Sequence, residues 1–268
     1  MDMSFLKLYI LGVLLSMSSN IAGQKVLLPK QVDVDWKGIV YKKEKSFDFR
    51  WHENGFAIGY NSGKLRTYYK TNYYNIEIGY TKDFREKRQN KNFAVSVFNN
   101  SRSFVYGKVN SLINLRAGFG RKKYLSEKAR RKGLAIGYNV EAGPSIAILK
   151  PYFLDLIYIT EDGGPFEIRS EQYSEENAEV FLDDNSIFGS SGFFTGFSDL
   201  SIVPGLQGKA GLHFAVGAFD KYVKAMEIGL GADLFIKKIP ILLETDAISN
   251  KPYFIKFYLK MELGYRTN

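Results

Sequence analysis

Apolar and mostly polar residues alternate without a break from residue 253 to residue 266, and this alternation constrains the fold more than any other feature. One set is wholly apolar or aromatic, and it comprises Tyr253, Ile255, Phe257, Leu259, Met261, Leu263 and Tyr265. Because successive side chains of a strand point to opposite faces, the segment forms a strand with one apolar face and one mostly charged face. A membrane strand needs about 9 to 11 residues and carries aromatic residues where the lipid ends. The length of the segment and the tyrosine at each end of its apolar face therefore favour a strand whose apolar face meets lipid.

The same alternation recurs along the chain and predicts an all-β protein. Further alternating segments begin near residues 47, 56, 74, 109, 134, 206 and 226. Asn54-Gly55 lies between the first two, and an Asn-Gly pair is the strongest short hairpin signal, although a bulge in one long strand would shift the apolar parity equally well. With the hairpin, residues 46–268 predict a transmembrane antiparallel up-and-down β-barrel of about 8 strands with long extracellular loops. Strands within the longest loop would raise the number to 10 to 12.

The connections between these segments differ in length, which predicts how the barrel is oriented. The long ones lie near residues 81–103, 149–200 and 238–252, and we expect them to be extracellular. Short turns at Ser62-Gly63 and Phe219-Asp220 then fall on the periplasmic side, together with an unusually long turn at 121–132. Within the longest loop, residues 152–160 and 165–172 predict a hairpin closed at 162–164.

The first 45 residues differ in composition from the alternating part. Residues 1–23 have a lysine, a run of about ten apolar residues and a small, polar end, which is typical of a secretory signal peptide and too short for a membrane helix. Residues 24–45 are polar and basic and predict a periplasmic N-terminal segment. An exported chain of this pattern is expected in the cell outer membrane.

Composition excludes several classes of protein. The chain has no cysteine, so disulfides, thiolate metal sites and lipoprotein anchoring are excluded. Its formal net charge is +9, but no nucleic-acid-binding module is present, and we expect the phosphate groups of membrane lipids rather than nucleic acid to meet this charge.

The inward faces of the predicted strands carry a nearly neutral set of six acids and five bases together with both histidines. In an eight-stranded barrel side chains fill the interior, so these charges must pair or cost several kcal/mol each. We favour a network that plugs the barrel over a narrow ion path. The candidate residues are Asp48, Arg50, His52, Glu77, Arg116, Glu141, Lys209, His213, Glu227, Asp233, Lys256, Lys260 and Glu262.

No catalytic, metal or cofactor site is predicted. A hydrolase needs a histidine near a nucleophile and a carboxylate, yet no spacing links His52 or His213 to a nucleophile, and the H-x-S pattern of one group of outer-membrane lipid deacylases is missing. The acidic run from Glu171 to Asp184 lacks the spacing of a calcium loop. We interpret these residues as members of the interior network and of a solvated loop.

A basic loop follows the third alternating segment. Because arginine and lysine bind phosphate, an extracellular loop of this composition is a candidate contact for lipopolysaccharide, although a solvated loop is the simpler interpretation. The residues concerned are Arg85, Lys87, Arg88 and Lys91.

Four longer runs resemble an uncharacterised outer-membrane β-barrel family common in Bacteroidota. They are RSFVYGKVNSLINLRAGFGR from Arg102, GYNVEAGPSIAILKPYFLDL from Gly137, VPGLQGKAGLHF from Val203 and VKAMEIGLGADLFIKKIPIL from Val223. The resemblance implies a barrel in the outer membrane, with membrane lipid, lipopolysaccharide and the barrel assembly machinery as partners, and it assigns no catalytic or ligand role. The chain ends Tyr265-Arg266-Thr267-Asn268, without the terminal aromatic residue that many such barrels present to the assembly machinery.

Together these features predict a non-enzymatic scaffold or surface-interaction protein, whose extracellular loops meet an unknown ligand or protein. A small transport or secretion-associated barrel is the alternative, and a barrel lipid hydrolase is a weaker one. Alternation alone does not identify the solvent, so a soluble β-sandwich also fits the pattern.

Overall fold

The computed structural model describes residues 41–67, 69–90, 101–125, 134–158, 166–216, 220–245 and 249–268. The predicted signal peptide and residues 24–40 of the predicted periplasmic segment lie outside the described residues. Residues 162–164 of the predicted loop hairpin and Phe219 of the predicted turn Phe219-Asp220 also lie outside them.

Eight antiparallel strands close into a barrel in which each strand pairs with its neighbours in the order of the chain, and the first strand pairs with the last. The barrel strands are β1 (Lys43–His52), β2 (Gly55–Thr67), β3 (Lys70–Thr81), β6 (Asn110–Tyr124), β7 (Leu134–Pro151), β11 (Ser201–Val216), β12 (Tyr222–Phe235) and β13 (Tyr253–Thr267). The remaining strands are β4 (Arg88–Gln89), β5 (Phe104–Val105), β8 (Phe153–Tyr158), β9 (Glu167–Gln172) and β10 (Ile187–Ser190). The prediction of an all-β, up-and-down barrel of eight strands is confirmed.

Of two turns predicted in the first part of the barrel, one is confirmed and the other is wrong. Asn54-Gly55 does close a hairpin, in which β1 and β2 pair from His52 opposite Gly55 onward. Gly55 has a φ of +152°, and a Cβ there would lie 2.0 Å from the carbonyl oxygen of Tyr80, so only glycine fits. The predicted turn at Ser62-Gly63 is wrong, because β2 continues to Thr67. Gly63 instead allows β2 to pack closely beside β3, since a Cβ at this position would lie 3.1 Å from the Cβ of Tyr73.

The barrel has two unlike ends. The loop end carries the hairpin turn at 53–54 and the long connections 82–109, 152–200 and 236–252, whereas the terminus end carries both ends of the barrel chain and the remaining connections. The predicted asymmetry of connection lengths is therefore confirmed. At the terminus end, β6 extends to Tyr124 and β7 starts at Leu134, so the predicted turn at 121–132 begins later than expected. The barrel likewise begins at Lys43, three residues before the predicted boundary.

The 152–200 connection folds into a small structure of its own at the loop end. β8 pairs with β9, as the predicted hairpin required, and β10 pairs with the other edge of β8. The short helix α1 (Ala178–Leu182) and a 3-10 turn (Asp184–Ser186) precede β10. Their shared apolar core consists of Phe104, Leu154, Leu156, Phe181 and Ile187.

An apolar cluster closes the loop end of the barrel interior. Ile239, Ile241 and Leu242, from the 236–252 connection, pack against inward-facing side chains at the ends of the barrel strands. Backbone N–H groups of Val109 and Asn110 donate to the carbonyl of Ile241 and hold this connection in place. We call this cluster the apolar plug, and its members are Val105, Leu112, Ala147, Leu149, Val203, Phe235, Ile239, Ile241 and Leu242.

Among the described residues, no helix has the length and apolar content needed to cross a bilayer.

Candidate functional site

The strand alternation places every predicted interior residue inside the barrel. All thirteen side chains are buried, and the most exposed of them, Lys209, has a relative accessible surface of 8%. Their neighbours along each strand point outward, as in β1, where Phe47, Phe49 and Trp51 are exposed. The interior between the two ends of the barrel is therefore mostly polar, up to the apolar plug.

Three further charged residues belong to this interior. Glu44, Lys122 and Arg266 are buried to the same degree as the predicted members. With them, the barrel strands hold seven carboxylates and seven basic side chains inside. Since burial of an unpaired charge is costly, this balance allows every charge to have a partner.

The register of the barrel places opposite charges directly across from each other. Four inward pairs of this kind occur on neighbouring strands, and a pair of opposite charges at such positions stabilises the sheet. They are Glu77 with Arg116, Glu141 with Lys209, Glu227 with Lys260, and Glu44 with Arg266. A shift of register between two of these strands would separate the charge pair that joins them, so the charges help to specify how the strands pair.

At the inward positions of the described strand pairs, like charges face each other only across the seam where β1 meets β13. Asp48 lies opposite Glu262, and Arg50 lies opposite Lys260. Each of these four reaches a different partner: for example, Arg50 pairs with Glu77 rather than with a residue of β13. Closure of the barrel therefore depends on partners that other strands supply.

Near the apolar plug, Arg116 connects two carboxylates. It donates to both oxygens of Asp233 at 2.8 Å and to Glu77 at 2.6 Å. Lys256 lies 2.7 Å from Asp233 on its other side. A bidentate arginine–carboxylate pair of this kind fixes orientation as well as charge.

At mid-height, Lys209 links two of the opposite-charge pairs. Its Nζ donates to Glu77 at 2.9 Å and to Glu141 at 3.0 Å. Arg50 also pairs with Glu77, and its guanidinium lies 4.9 Å from the ring centre of Tyr258. Glu77 thus accepts from three basic side chains, which makes it a central acceptor of the network.

Glu227 is the second central acceptor. Lys260 lies 2.8 Å from its carboxylate, the hydroxyl of Tyr258 donates to it at 2.7 Å, and Asn139 donates to both oxygens at 3.1 Å. The Nδ1 atom of His213 lies 3.2 Å from the same carboxylate. Removal of this acid would take a partner from four polar groups.

The residues that the sequence did not predict complete the network at the terminus end. Lys122 binds Glu262 and lies 3.2 Å from Glu44, while Arg266 donates to Glu44 at 2.8 Å. Ser46 donates to Glu262 at 2.6 Å. Continued parity was the signal that would have identified Lys122, since it follows Gly118 and Gly120 on the inward face of β6.

Almost no free space remains between these side chains. A small cavity of about 10 Å³ lies among Arg50, His52, Arg116 and Lys256, which is about the space that one water molecule requires. The interior of the described barrel is therefore filled and not hollow.

Both histidines lie inside the barrel, in different surroundings. His213 is held between Glu227 and the hydroxyl of Tyr124, which is 3.4 Å from Nε2, so a phenol stands where a hydrolase would place its nucleophile. His52 lies beside the small cavity. Within the described residues, no group of three or more histidine or acidic side chains is arranged to hold a metal ion.

The predicted lipopolysaccharide contacts lie at the loop end but differ in their surroundings. Arg85 donates to both oxygens of Asp83, at 2.8 and 2.9 Å. Burial raises the pKa of the Asp83 carboxyl, but the hydrogen bonds and charge of Arg85 outweigh it and leave the pKa below its usual value. Lys87 and Arg88 are exposed, and Lys91 lies outside the described residues. The charge of Arg85 is thus already paired, whereas Lys87 and Arg88 face solvent.

Comparison with known proteins adds little to this description. No family model matches the chain, and no curated protein matches it. One similar solved structure is the crystal structure of the N-terminal beta-barrel domain of Pseudomonas aeruginosa OprF, with 8% sequence identity and a TM-score of 0.33 over 84% of this chain and 96% of that chain. Likeness at this level carries no argument about function, and the resemblance to a Bacteroidota family stays a prediction.

Proposed function

We propose that the chain is an outer-membrane barrel with a filled, non-conducting interior, and that it serves as a non-enzymatic scaffold for the structure at its loop end. The distribution of polarity carries this proposal. Every carboxylate of the eight barrel strands points inward, while the outward face of β13 is wholly apolar from Tyr253 to Tyr265. Water-soluble barrels have the opposite arrangement, because their apolar residues form the core.

The dimensions of the outward face fit a bilayer. At about 3.3 Å per residue, the apolar face of β13 is roughly 40 Å long, and a strand tilt of about 40° reduces its height to ~30 Å. The hydrocarbon core of a bilayer is about 30 Å thick. Outward aromatic residues occur towards both limits of this band, with Trp51 and Phe56 paired near the loop end and Tyr222 and Tyr265 paired near the terminus end.

A collar of basic residues surrounds the terminus end. The outward positions below the apolar band carry exposed lysine and arginine, which contribute seven positive charges to a chain whose net charge is +9. Basic side chains at this height are suited to the phosphate groups of a lipid leaflet. The collar consists of Lys43, Lys45, Lys64, Arg66, Arg121, Lys123 and Lys224.

Three measurements on the folded protein test the proposal. After reconstitution in vesicles, it should remain in the membrane fraction after a carbonate wash and should migrate differently on a gel with and without boiling. In planar bilayers it should add no stable conductance steps, because the interior is filled. Release by carbonate would refute the membrane location, whereas steady conductance would leave the barrel intact and favour the transport alternative.

A further inference from the structure

A lateral cleft lies on the outside of the barrel at the loop end. Its volume is about 1600 Å³, far larger than the cavity within the barrel. One wall is the outward face of β1, β2 and β3, where Trp51, Phe56, Ile78 and Tyr80 line it. The opposite side is formed by residues 190–195 of the 152–200 connection. We call residues 190–197 the overhang.

The overhang is fixed to the barrel through Lys150. This residue points outward near the end of β7 and is nevertheless buried, because the overhang covers it. Its Nζ donates to the carbonyl of Thr195 at 2.8 Å and lies 5.6 Å and 5.5 Å from the ring centres of Phe193 and Phe197. The cleft is thus bounded by a strand surface and by a segment held at a defined distance from it.

The strand wall and the rim of the cleft differ in chemistry. The strand wall is aromatic and aliphatic, and it continues directly into the outward apolar face of the barrel. The rim is basic: four lysine or arginine residues line the cleft, against one acid, Glu53. The carboxylate of Glu53 already accepts from the backbone N–H of Phe257, at 3.0 and 3.3 Å.

Two of the basic residues have their charge available for a ligand. Arg88 and Arg102 are exposed, and within the described residues no ion pair joins either of them to a carboxylate. An arginine guanidinium matches the geometry of phosphate oxygens. Phe193 and Phe194, on the other side, expose 66% and 82% of their surface, which is unfavourable in water and suited to contact with an acyl chain.

From this combination we infer that the lateral cleft binds one anionic acyl lipid of the surrounding leaflet. Its phosphate lies at Arg88 and Arg102, and its acyl chain lies against Trp51, Phe56 and Ile78. This inference rests on the proposed membrane location, because the cleft opens beside the apolar face that we place in lipid.

Trp51 provides a direct probe, because the chain has only two tryptophans. In a Trp36→Phe background, Trp51 fluorescence is measured in phosphatidylcholine vesicles that contain increasing fractions of an acyl-brominated lipid, which quenches tryptophan on contact. We expect brominated phosphatidylglycerol to reach half-maximal quenching at an about tenfold lower mole fraction than brominated phosphatidylcholine. Equal quenching by the two lipids would overturn the inference while leaving the membrane barrel in place. A lack of quenching by either would instead refute the proposed location of the outward face.

Arginine variants test whether the preference for phosphatidylglycerol arises at the lateral cleft. Arg88→Gln combined with Arg102→Gln should remove the preference for phosphatidylglycerol. Arg66→Gln combined with Arg121→Gln removes the same charge from the collar at the other end and should leave the preference unchanged. Heat-modifiable migration checks that each variant is folded. A preference that survives the first pair, or disappears with the second, would contradict the assigned site.

Discussion

The two parts of the barrel interior are filled by different physical means. Towards the loop end, the apolar plug excludes water by packing aliphatic and aromatic side chains from the 236–252 connection against the strand ends. Between this plug and a small apolar cluster of Tyr124, Ala135, Ala215 and Ala225 at the terminus end, fourteen charged side chains fill most of the interior by pairing. Loss of a plug residue removes contacts in proportion to its size, whereas loss of a network residue leaves its partners buried without compensation. We therefore expect the loss of a network charge to destabilise the fold more than the loss of a plug side chain of similar size.

The largest effect is expected from Glu227→Gln. The change removes the negative charge that Lys260 and His213 approach, and breaking a buried pair in this way costs about 3 to 5 kcal/mol. The measurement is the denaturant midpoint for loss of heat-modifiable migration. Glu244→Gln is the matched control, since Glu244 forms an exposed pair with Lys238, and exposed pairs contribute about 0 to 1 kcal/mol. Equal shifts of the two midpoints would contradict the account of the network.

A somewhat smaller effect is expected in the apolar plug. Ile241 has a relative accessible surface of 1%, and Ile241→Ala should lower the free energy of unfolding by about 2 to 4 kcal/mol through lost contacts and a residual cavity. Ile236 lies in the same connection with 69% of its surface exposed. Ile236→Ala should therefore change the free energy of unfolding by less than about 0.5 kcal/mol. Similar losses in both variants would mean that the plug does not pack as described.

Glu227 and Ile241 also show what the alternating pattern could and could not predict. Parity assigned Glu227 to the interior, because an unbroken run of alternating residues fixes which face each side chain occupies. The plug could not be predicted in this way, since Ile239, Ile241 and Leu242 lie in a connection with no period. Lys122 was missed for a related reason: β6 extends past the apolar band to Tyr124, where its outward positions become basic and the apolar signal ends.

A third prediction concerns the fit between a glycine and a large side chain in the charged part of the interior. Gly120 lies opposite Tyr73, and a Cβ there would lie 2.2 Å from the tyrosine ring. Gly120→Ala should therefore cost about 1 to 3 kcal/mol through displacement of the ring. Gly208→Ala, also in a barrel strand, meets nothing within 4 Å and should be nearly neutral. The denaturant midpoints of the two variants test this difference. A neutral Gly120→Ala would show that Tyr73 can move at little cost.

The smallest effect is expected outside the barrel, at the Asp83–Arg85 pair. The lowered pKa of Asp83 means that its carboxylate stabilises the fold above the usual pKa of aspartate, and that this contribution is lost as the pH falls through the lowered value. Arg85→Gln should thus cost at most ~1 kcal/mol at pH 7, and this cost should shrink as the pH falls through the lowered pKa of Asp83. A cost that does not change over this titration would show that Arg85 acts through packing and not through its charge.

Spin labels on β13 test most directly the central claim that the outward face of the barrel meets hydrocarbon. The chain has no cysteine, so single cysteines at Tyr253, Leu259 and Tyr265 can each carry one label in vesicles. We expect oxygen to relax the label at Leu259 most strongly and a water-soluble nickel chelate to relax it least, with the order reversed towards the two tyrosine positions. Equal access of the nickel chelate at all three positions would contradict the account.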